Sequence, residues 1–191
     1  MFGVLSVDRA KRDDLGLGKL VGGRVRPCVI AARFSSGRDN MRAPSIPRPQ
    51  VIMPGTAIYT DLSGYYDLMC ADIDYRAQSH CVHRLQKLLG NGGNRHLDLA
   101  CGTGPHVRHF IDAGFESSGL DINQPMLDRA VIRCPDARFS RQDMCGFTLS
   151  QPVDLITCFL YSIHYSAEVA RLRACIASVH GALATGGLFC F

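Results

Sequence analysis

The stretch Leu97-Asp98-Leu99-Ala100-Cys101-Gly102-Thr103-Gly104 decides the fold. An apolar run ends in an acidic residue and passes at once into a tight loop with two glycines. Gly102 and Gly104 let backbone approach a ligand with no Cβ in the way. From Pro105 the pattern becomes helical and is closed by Gly114, so the first N–H groups of that helix face the same loop. Strand, glycine loop and helix in this order form the ligand-holding corner of a doubly wound α/β sheet.

Working outward, strands and helices alternate. Residues 76–89 are amphipathic, with Cys81, Val82, Leu85, Leu88 and Leu89 on one face and Gly90 as the stop. Strands are predicted over 96–100, 118–122, 137–142 and 155–161. Helices are predicted over 105–113 and from the N-cap Asn123, with Pro125 in the first turn, to about Cys134. A further helix capped by Ser166 carries Val169, Leu172, Ile176, Val179 and Leu183 at helical spacing. Gly186-Gly187 closes it, and residues 188–191 begin a fifth strand. The alternation implies right-handed βαβ units in a Rossmann-like, doubly wound, mostly parallel sheet. The strands that would complete such a sheet after Phe191 are expected to be missing, leaving an apolar edge.

The 191 residues suit one domain, and 47% hydrophobic with 20% charged residues is an ordinary globular balance. The net charge of +4 conceals an asymmetry: residues 1–52 hold 10 Lys/Arg against 4 Asp/Glu, and residues 53–191 hold 11 against 13. The basic excess is therefore confined to residues 1–52, which are rich in Arg, Gly, Pro and Ser. They are expected to be a disordered or non-native extension, with Met1 or Met53 as the start. Residues 53–191 are expected to be one incomplete domain. No nucleic-acid partner is expected for that domain. No apolar run reaches the ~18 residues of a membrane helix. Nine cysteines lie at 28, 70, 81, 101, 134, 145, 158, 175 and 190, with no C-x-x-C pair. That spacing and the lack of a visible signal peptide fit free thiols and a cytoplasmic protein.

Two more acids end strands. Asp121, in Gly119-Leu120-Asp121-Ile122-Asn123, lies 23 positions after Asp98 and is placed to accept from both hydroxyls of a ribose. Asp143, in Arg141-Gln142-Asp143-Met144, is placed to accept from an adenine amino group, with Met144 offering a backbone N–H and apolar contact. A dinucleotide site would need a third glycine where Val107 stands. Asp98 beside the loop suits the ammonium of a methionine moiety better than a pyrophosphate. The constellation points to S-adenosylmethionine.

From about Tyr65 to Phe191 the chain resembles the class I S-adenosylmethionine-dependent methyltransferases. The matching stretches are LDLACGTG (97–104), GLDIN (119–123), RQDM (141–144), DLITCFLYSIHY (154–165) and LATGGLFCF (183–191). YYDLMCADIDY (65–75), QDMCGF (142–147) and CFLYSIHY (158–165) are similar to the amino-sugar N,N-dimethyltransferases and related small-molecule N-methyltransferases. The resemblance implies a cofactor site of Asp98, Ala100, Gly102, Gly104, Asp121, Asp143, Met144, Phe159 and Leu160. It implies a lid or acceptor segment with Tyr65, Tyr66 and Tyr75. Two departures stand out: Thr185 occupies the usual proline before the glycine pair, and His164-Tyr165 stands where the amino-sugar enzymes tend to have Gly-His.

The reaction implied is methyl transfer to a small molecule, at an amine nitrogen, with no metal. His164 and Tyr165, just past the fourth strand, are the candidate catalytic pair. The competing reading is an inactive, truncated S-adenosylmethionine-binding remnant. His80, His83, His106 and His109 are expected at the surface, since no zinc-spaced set supports them. Cys101, at a helix N-terminus where a thiol pKa tends to fall, is expected only to pack the loop. Oligomeric state and the acceptor's identity are not legible here.

Overall fold

The computed structural model describes residues 2–6, 29–33, 59 and 63–191, with side chains for 59 and 63–191. Its elements run β1 (Phe2–Ser6), β2 (Val29–Arg33), α1 (Ser63–Met69), α2 (Tyr75–Leu89), β3 (Arg95–Leu99), α3 (Pro105–Asp112), β4 (Glu116–Asp121), α4 (Gln124–Arg133), β5 (Arg138–Arg141), β6 (Val153–Thr157), a 3₁₀ turn (Ser162–Ser166), α5 (Val169–Ala182) and β7 (Leu183–Cys190). One sheet has the order β2-β1-β7-β6-β3-β4-β5. The five strands β7-β6-β3-β4-β5 are all parallel.

Parallel strands covered on both faces read as continuous buried runs, and β3 and β6 do so. Side chains alternate between two cores. Leu97, Leu99, Ile156 and Phe189 join Cys175, Val179 and Ala182 of α5 on one face. Leu155, Leu188 and Cys190 join Val82 of α2 and Phe110 of α3 on the other. The period of two thus sets which β3 side chains meet α3: His96 stacks on Phe110 at 4.0 Å between ring centroids.

The edge of β7 is not open among the described residues. β1 pairs with it antiparallel, Val4 opposite Cys190 and Ser6 opposite Leu188, and β2 extends the sheet in parallel to β1. Both strands fall in the segment read as an extension; the rest of that segment, with Met53, lies outside the described residues.

Local patterning misplaced several boundaries and faces. α5 begins after Glu168 at its N-cap position, not at Ser166, whose hydroxyl is turned onto the Ile163 carbonyl at 2.8 Å. Val169 and Leu172 are exposed, and Cys175, Val179 and Ala182 form the buried face. Leu88 of α2 is likewise exposed, while Ser79 and Gln86 are buried. Gly186-Gly187 does not end a helix but lies inside β7, at a break in its register with β6. Asn123 holds the N-cap position of α4 without a capping side-chain bond; its amide donates to Asp121 instead.

Candidate functional site

Strand order reverses at β3, which pairs with β4 on one side and β6 on the other. The loops leaving β3 and β6 therefore diverge and leave a crevice at their carboxyl ends, the place where open α/β sheets bind ligands. A narrow cavity of about 30 Å³ lies there. Asp98, Ala100 and Gly102 line it at the end of β3, together with His106, Phe159 and Leu160 and with Tyr66 and Tyr75 of the preceding helices.

Asp98 is almost fully buried and receives the Thr157 hydroxyl on Oδ1 at 2.6 Å. Thr157 Oγ1 is also 2.9 Å from His96 Nε2, and His96 Nδ1 is 2.6 Å from Ser117 Oγ. Because the Thr157 proton is committed to Asp98, His96 donates from Nε2 and accepts from Ser117 at Nδ1. A buried chain Ser117–His96–Thr157–Asp98 thus links β4, β3 and β6 and fixes the carboxylate. Burial drives the His96 pKa down to about 3, so the ring is neutral. Burial pushes the Asp98 pKa up to about 7, with Asp121 adding to it and the Thr157 bond opposing it.

Asp121 builds the glycine loop. Its Oδ2 accepts from the Gly102 N–H at 2.9 Å and its Oδ1 from the Asn123 N–H at 2.8 Å. Ala100, Gly102 and Gly104 all take positive φ, of 51°, 55° and 79°. Gly104 has a second reason to be glycine: a Cβ there would come within 3.2 Å of Ala130 Cβ on α4. Cys101 is buried under this loop and burial raises its thiol pKa, the reverse of the lowering expected at a helix N-terminus. It packs the loop, as its position implied.

Helix α1 is tied to the loop by charge. Thr103 Oγ1 donates to Asp67 Oδ1 at 2.6 Å. Arg133 reaches from α4 to Asp67 Oδ2 at 2.6 Å, to Thr103 Oγ1 at 2.6 Å and to the Thr103 carbonyl at 2.7 Å. Burial alone would raise the Asp67 pKa, but these bonds and the charges of Arg133 and Arg129 bring it below the usual value. Tyr66, the neighbour of Asp67, is thereby held over the cavity, whereas Tyr65 points away and is 62% exposed.

The loop after β6 has a different character. Leu160 and Tyr161 are consecutive non-glycine residues at positive φ, 53° and 60°, a strained turn of the kind found at ligand sites. Beyond it His164 is exposed, with Nδ1 3.2 Å from the Tyr161 carbonyl. Tyr165 is 56% exposed and its hydroxyl is 2.7 Å from that of Tyr59, whose ring sits 5.7 Å from Tyr66. These tyrosines form the mouth of the crevice. Neither His164 nor Tyr165 lines the cavity itself.

Asp143 lies two residues past β5 and has both oxygens engaged: Oδ1 accepts from the Cys145 N–H and Oδ2 from Arg171 of α5, each at 2.8 Å. Burial would raise its pKa, but those two partners outweigh it and lower it. Met144 is buried in the α5-side core. His106 departs most from expectation. It is 3% exposed, not a surface residue, and stacks on Phe159 at 3.6 Å. The expectation failed because helical spacing of two histidines does not say which face the helix buries. His96, Thr157, Ser117, Asp67 and Arg133 were also missed. A histidine beside the leucines of a strand read as buried was the available signal for the first.

The family model described as a methyltransferase domain matches residues 97–187. The chain is 31% identical over 115 residues to dTDP-3-amino-3,4,6-trideoxy-alpha-D-glucopyranose N,N-dimethyltransferase of Streptomyces venezuelae, covering 60% of this chain and 48% of that enzyme. It is 40% identical over 80 residues to dTDP-3-amino-3,6-dideoxy-alpha-D-glucopyranose N,N-dimethyltransferase of Streptomyces fradiae, covering 42% of this chain and 31% of that enzyme. The chain thus spans half or less of the length of these two relatives. Among solved structures, Streptomyces venezuelae DesVI superposes with a TM-score of 0.63 at 31% identity, covering 68% of this chain and 56% of that one. CalS10, an amino pentose methyltransferase from Micromonospora echinaspora whose structure holds S-adenosylmethionine, gives a TM-score of 0.61 at 27% identity, covering 68% and 54%. The strand order, the glycine loop over Asp121 and the match at 97–187 agree: over that region the chain matches the methyltransferase-domain family and has the Rossmann-like fold of S-adenosylmethionine-dependent methyltransferases.

Proposed function

We propose that this chain binds S-adenosylmethionine in the crevice between β3 and β6 and transfers its methyl group to the nitrogen of a small amine, an amino sugar by similarity to its relatives. The observation that carries this reading is Asp98: a buried carboxylate at the switch point, held from below by Thr157 and His96, beside a loop of backbone N–H groups. Nothing in the fold requires a charge there. Its retention against the cost of burial is explained by a cationic ligand group.

The bound S-adenosylmethionine supplies an electrophilic methyl on a sulfonium, which leaves as a neutral thioether. The residues supply position. Asp98 would hold the ammonium of the amino-acid arm, Asp121 the ribose hydroxyls, and Asp143 with Met144 the adenine. Phe159 and Leu160 exclude water beside the sulfur. The Tyr59–Tyr66–Tyr165 mouth aligns the amine in line with the methyl. The amine attacks as the free base, and its proton passes through His164 at the rim to water. Small acceptors and no nucleic acid follow from the reading, and no described helix is long and apolar enough to cross a membrane.

A cavity of about 30 Å³ is far too small for a nucleoside. Entry of a nucleoside therefore moves α1 and Tyr66 outward. Calorimetric titration with S-adenosylmethionine and S-adenosylhomocysteine tests the binding step. Micromolar, one-to-one binding of both is expected, followed by methylation of a panel of amino sugars. No heat and no competition from either ligand sinks the proposal; binding without transfer to any amine leaves the cofactor site standing and favours the inactive remnant.

A further inference from the structure

One residue lining the cavity carries a buried ring nitrogen with no hydrogen-bond partner among the described residues. His106, in the first turn of α3, is fixed on two sides: its ring stacks on Phe159, 3.6 Å between centroids and 11° between planes, and Tyr75 meets it edge-on at 5.0 Å. Its Nδ1 is 3.1 Å from the Ser79 hydroxyl of α2. Its Nε2 is buried and makes no hydrogen bond. An unmet buried donor or acceptor destabilises the fold that carries it. The ring could have been turned or replaced, yet the residue that carries this unmet nitrogen lines the same cavity as Asp98.

The tautomer follows from Ser79. That residue is itself buried, and His106 Nδ1 is its side-chain partner. If Ser79 donates to Nδ1, one group is left over, an N–H at Nε2. If Nδ1 donates to Ser79, two are left over, the Ser79 proton and the Nε2 lone pair. The first arrangement wastes less. Burial pushes the His106 pKa to about 3, with His109 adding to it, so the ring is neutral and does not carry both protons. The crevice therefore holds a neutral N–H donor beside a buried acid. Backbone N–H groups at the start of α3 and its dipole favour an anion at the same place. The Tyr75 hydroxyl, also on the cavity, is a second buried group without a hydrogen-bond partner; the Cys70 thiol, a weak donor, lies near it.

We propose that His106 Nε2–H donates to the carboxylate of the ligand's amino-acid arm, while Asp98 takes the ammonium of the same arm. This rests on the S-adenosylmethionine reading and adds to it a residue that discriminates ligands by their carboxylate. His106 is then a binding residue, and Ser79 a positioning residue that sets its tautomer.

The test compares S-adenosylmethionine with decarboxylated S-adenosylmethionine by calorimetry. The wild-type chain is expected to bind the first ten- to hundredfold more tightly. In His106→Phe that preference should fall below about threefold, through loss of affinity for S-adenosylmethionine alone. His106→Gln, which keeps an N–H, should recover part of it. An equal loss for both ligands in His106→Phe overturns the inference, as does an unchanged preference. A measurement on the wild-type chain guards against a variant that does not fold: the imidazole Nε2–H resonance should move downfield with S-adenosylmethionine and not with the decarboxylated form. The same response to both overturns the inference. Failure of the wild-type chain to bind either compound overturns the cofactor reading as well, whereas equal binding of both overturns this inference alone.

Discussion

The floor of the crevice and its mouth are built on opposite terms. At the floor, Asp98 and Asp121 are buried and carry short hydrogen bonds from a hydroxyl and from backbone N–H groups. At the mouth, His164 and Tyr165 are exposed, on a turn whose strained residues Leu160 and Tyr161 precede them. A rigid floor can read a constant ligand at little entropic cost. An exposed rim can be rebuilt for a different acceptor without disturbing the sheet. Under the proposed function, the contrast assigns cofactor affinity and acceptor chemistry to separable parts of this chain, and perturbations should divide accordingly.

The largest effect is expected at the floor. Asp98→Asn should weaken S-adenosylmethionine binding at least a hundredfold by calorimetry. It should also raise the melting temperature by a few degrees at pH 8. The sign follows from linkage: a carboxyl whose pKa rises from 3.8 to about 7 on folding favours folding below its unfolded value and opposes it increasingly as pH rises through 7. Asparagine removes that penalty of roughly 2–4 kcal/mol. A variant that loses binding and stability together would mean that Asp98 is structural.

The wild-type chain should show the same group titrating. A floor acid with a pKa near 7 is about one-tenth ionised at pH 6 and nine-tenths at pH 8. Affinity for S-adenosylmethionine should therefore rise about fivefold over that range, the ligand's ammonium, which titrates at about 8, offsetting part of the gain in ionised Asp98. The other titratable groups facing Asp98 are Asp121, Cys101, Cys158 and His96. Burial raises the first three and lowers His96 to about 3. Asp121 is the one that could share the transition, and Asp121→Asn should leave the midpoint in place or lower it slightly. A flat profile would remove the cationic ligand from the argument.

Rim substitutions should act on turnover alone. His164→Ala and Tyr165→Phe are expected to lower kcat about three- to tenfold while the calorimetric affinity for S-adenosylmethionine stays within twofold. A matching loss of affinity would merge the two regions. The smallest effect is expected at their junction. Asp67→Asn weakens the tie between α1 and Thr103 and should speed release of S-adenosylhomocysteine three- to fivefold in stopped-flow competition, with little change in melting temperature. Unaltered release would mean that α1 does not gate the crevice.

The glycine loop, the alternation of elements and the three strand-end acids were legible because each is a short-range property. A glycine pair demands its turn, and a period of two demands a strand. Thus Asp98, Gly102, Gly104 and Asp121 could be singled out before any contact was known. Which strands are neighbours was not local. Thr157 reaches Asp98 because β6 lies beside β3, and Asp67 reaches Arg133 because α1 folds back over α4. The faces of α2 and α5 also escaped the pattern, since Leu88, Val169 and Leu172 are apolar yet exposed.

By itself, then, the sequence determined a doubly wound sheet with a nucleoside-type loop over an acid, because steric limits on backbone and the periodicity of side chains act within a few residues. Only the tertiary structure decided that His96 and His106 are buried and neutral, that β1 covers the β7 edge, and that His164 stands at the rim. Burial is a property of what lies opposite. Solvent exclusion, which sets the protonation of Asp98 and both histidines, arises only when distant elements close over one another.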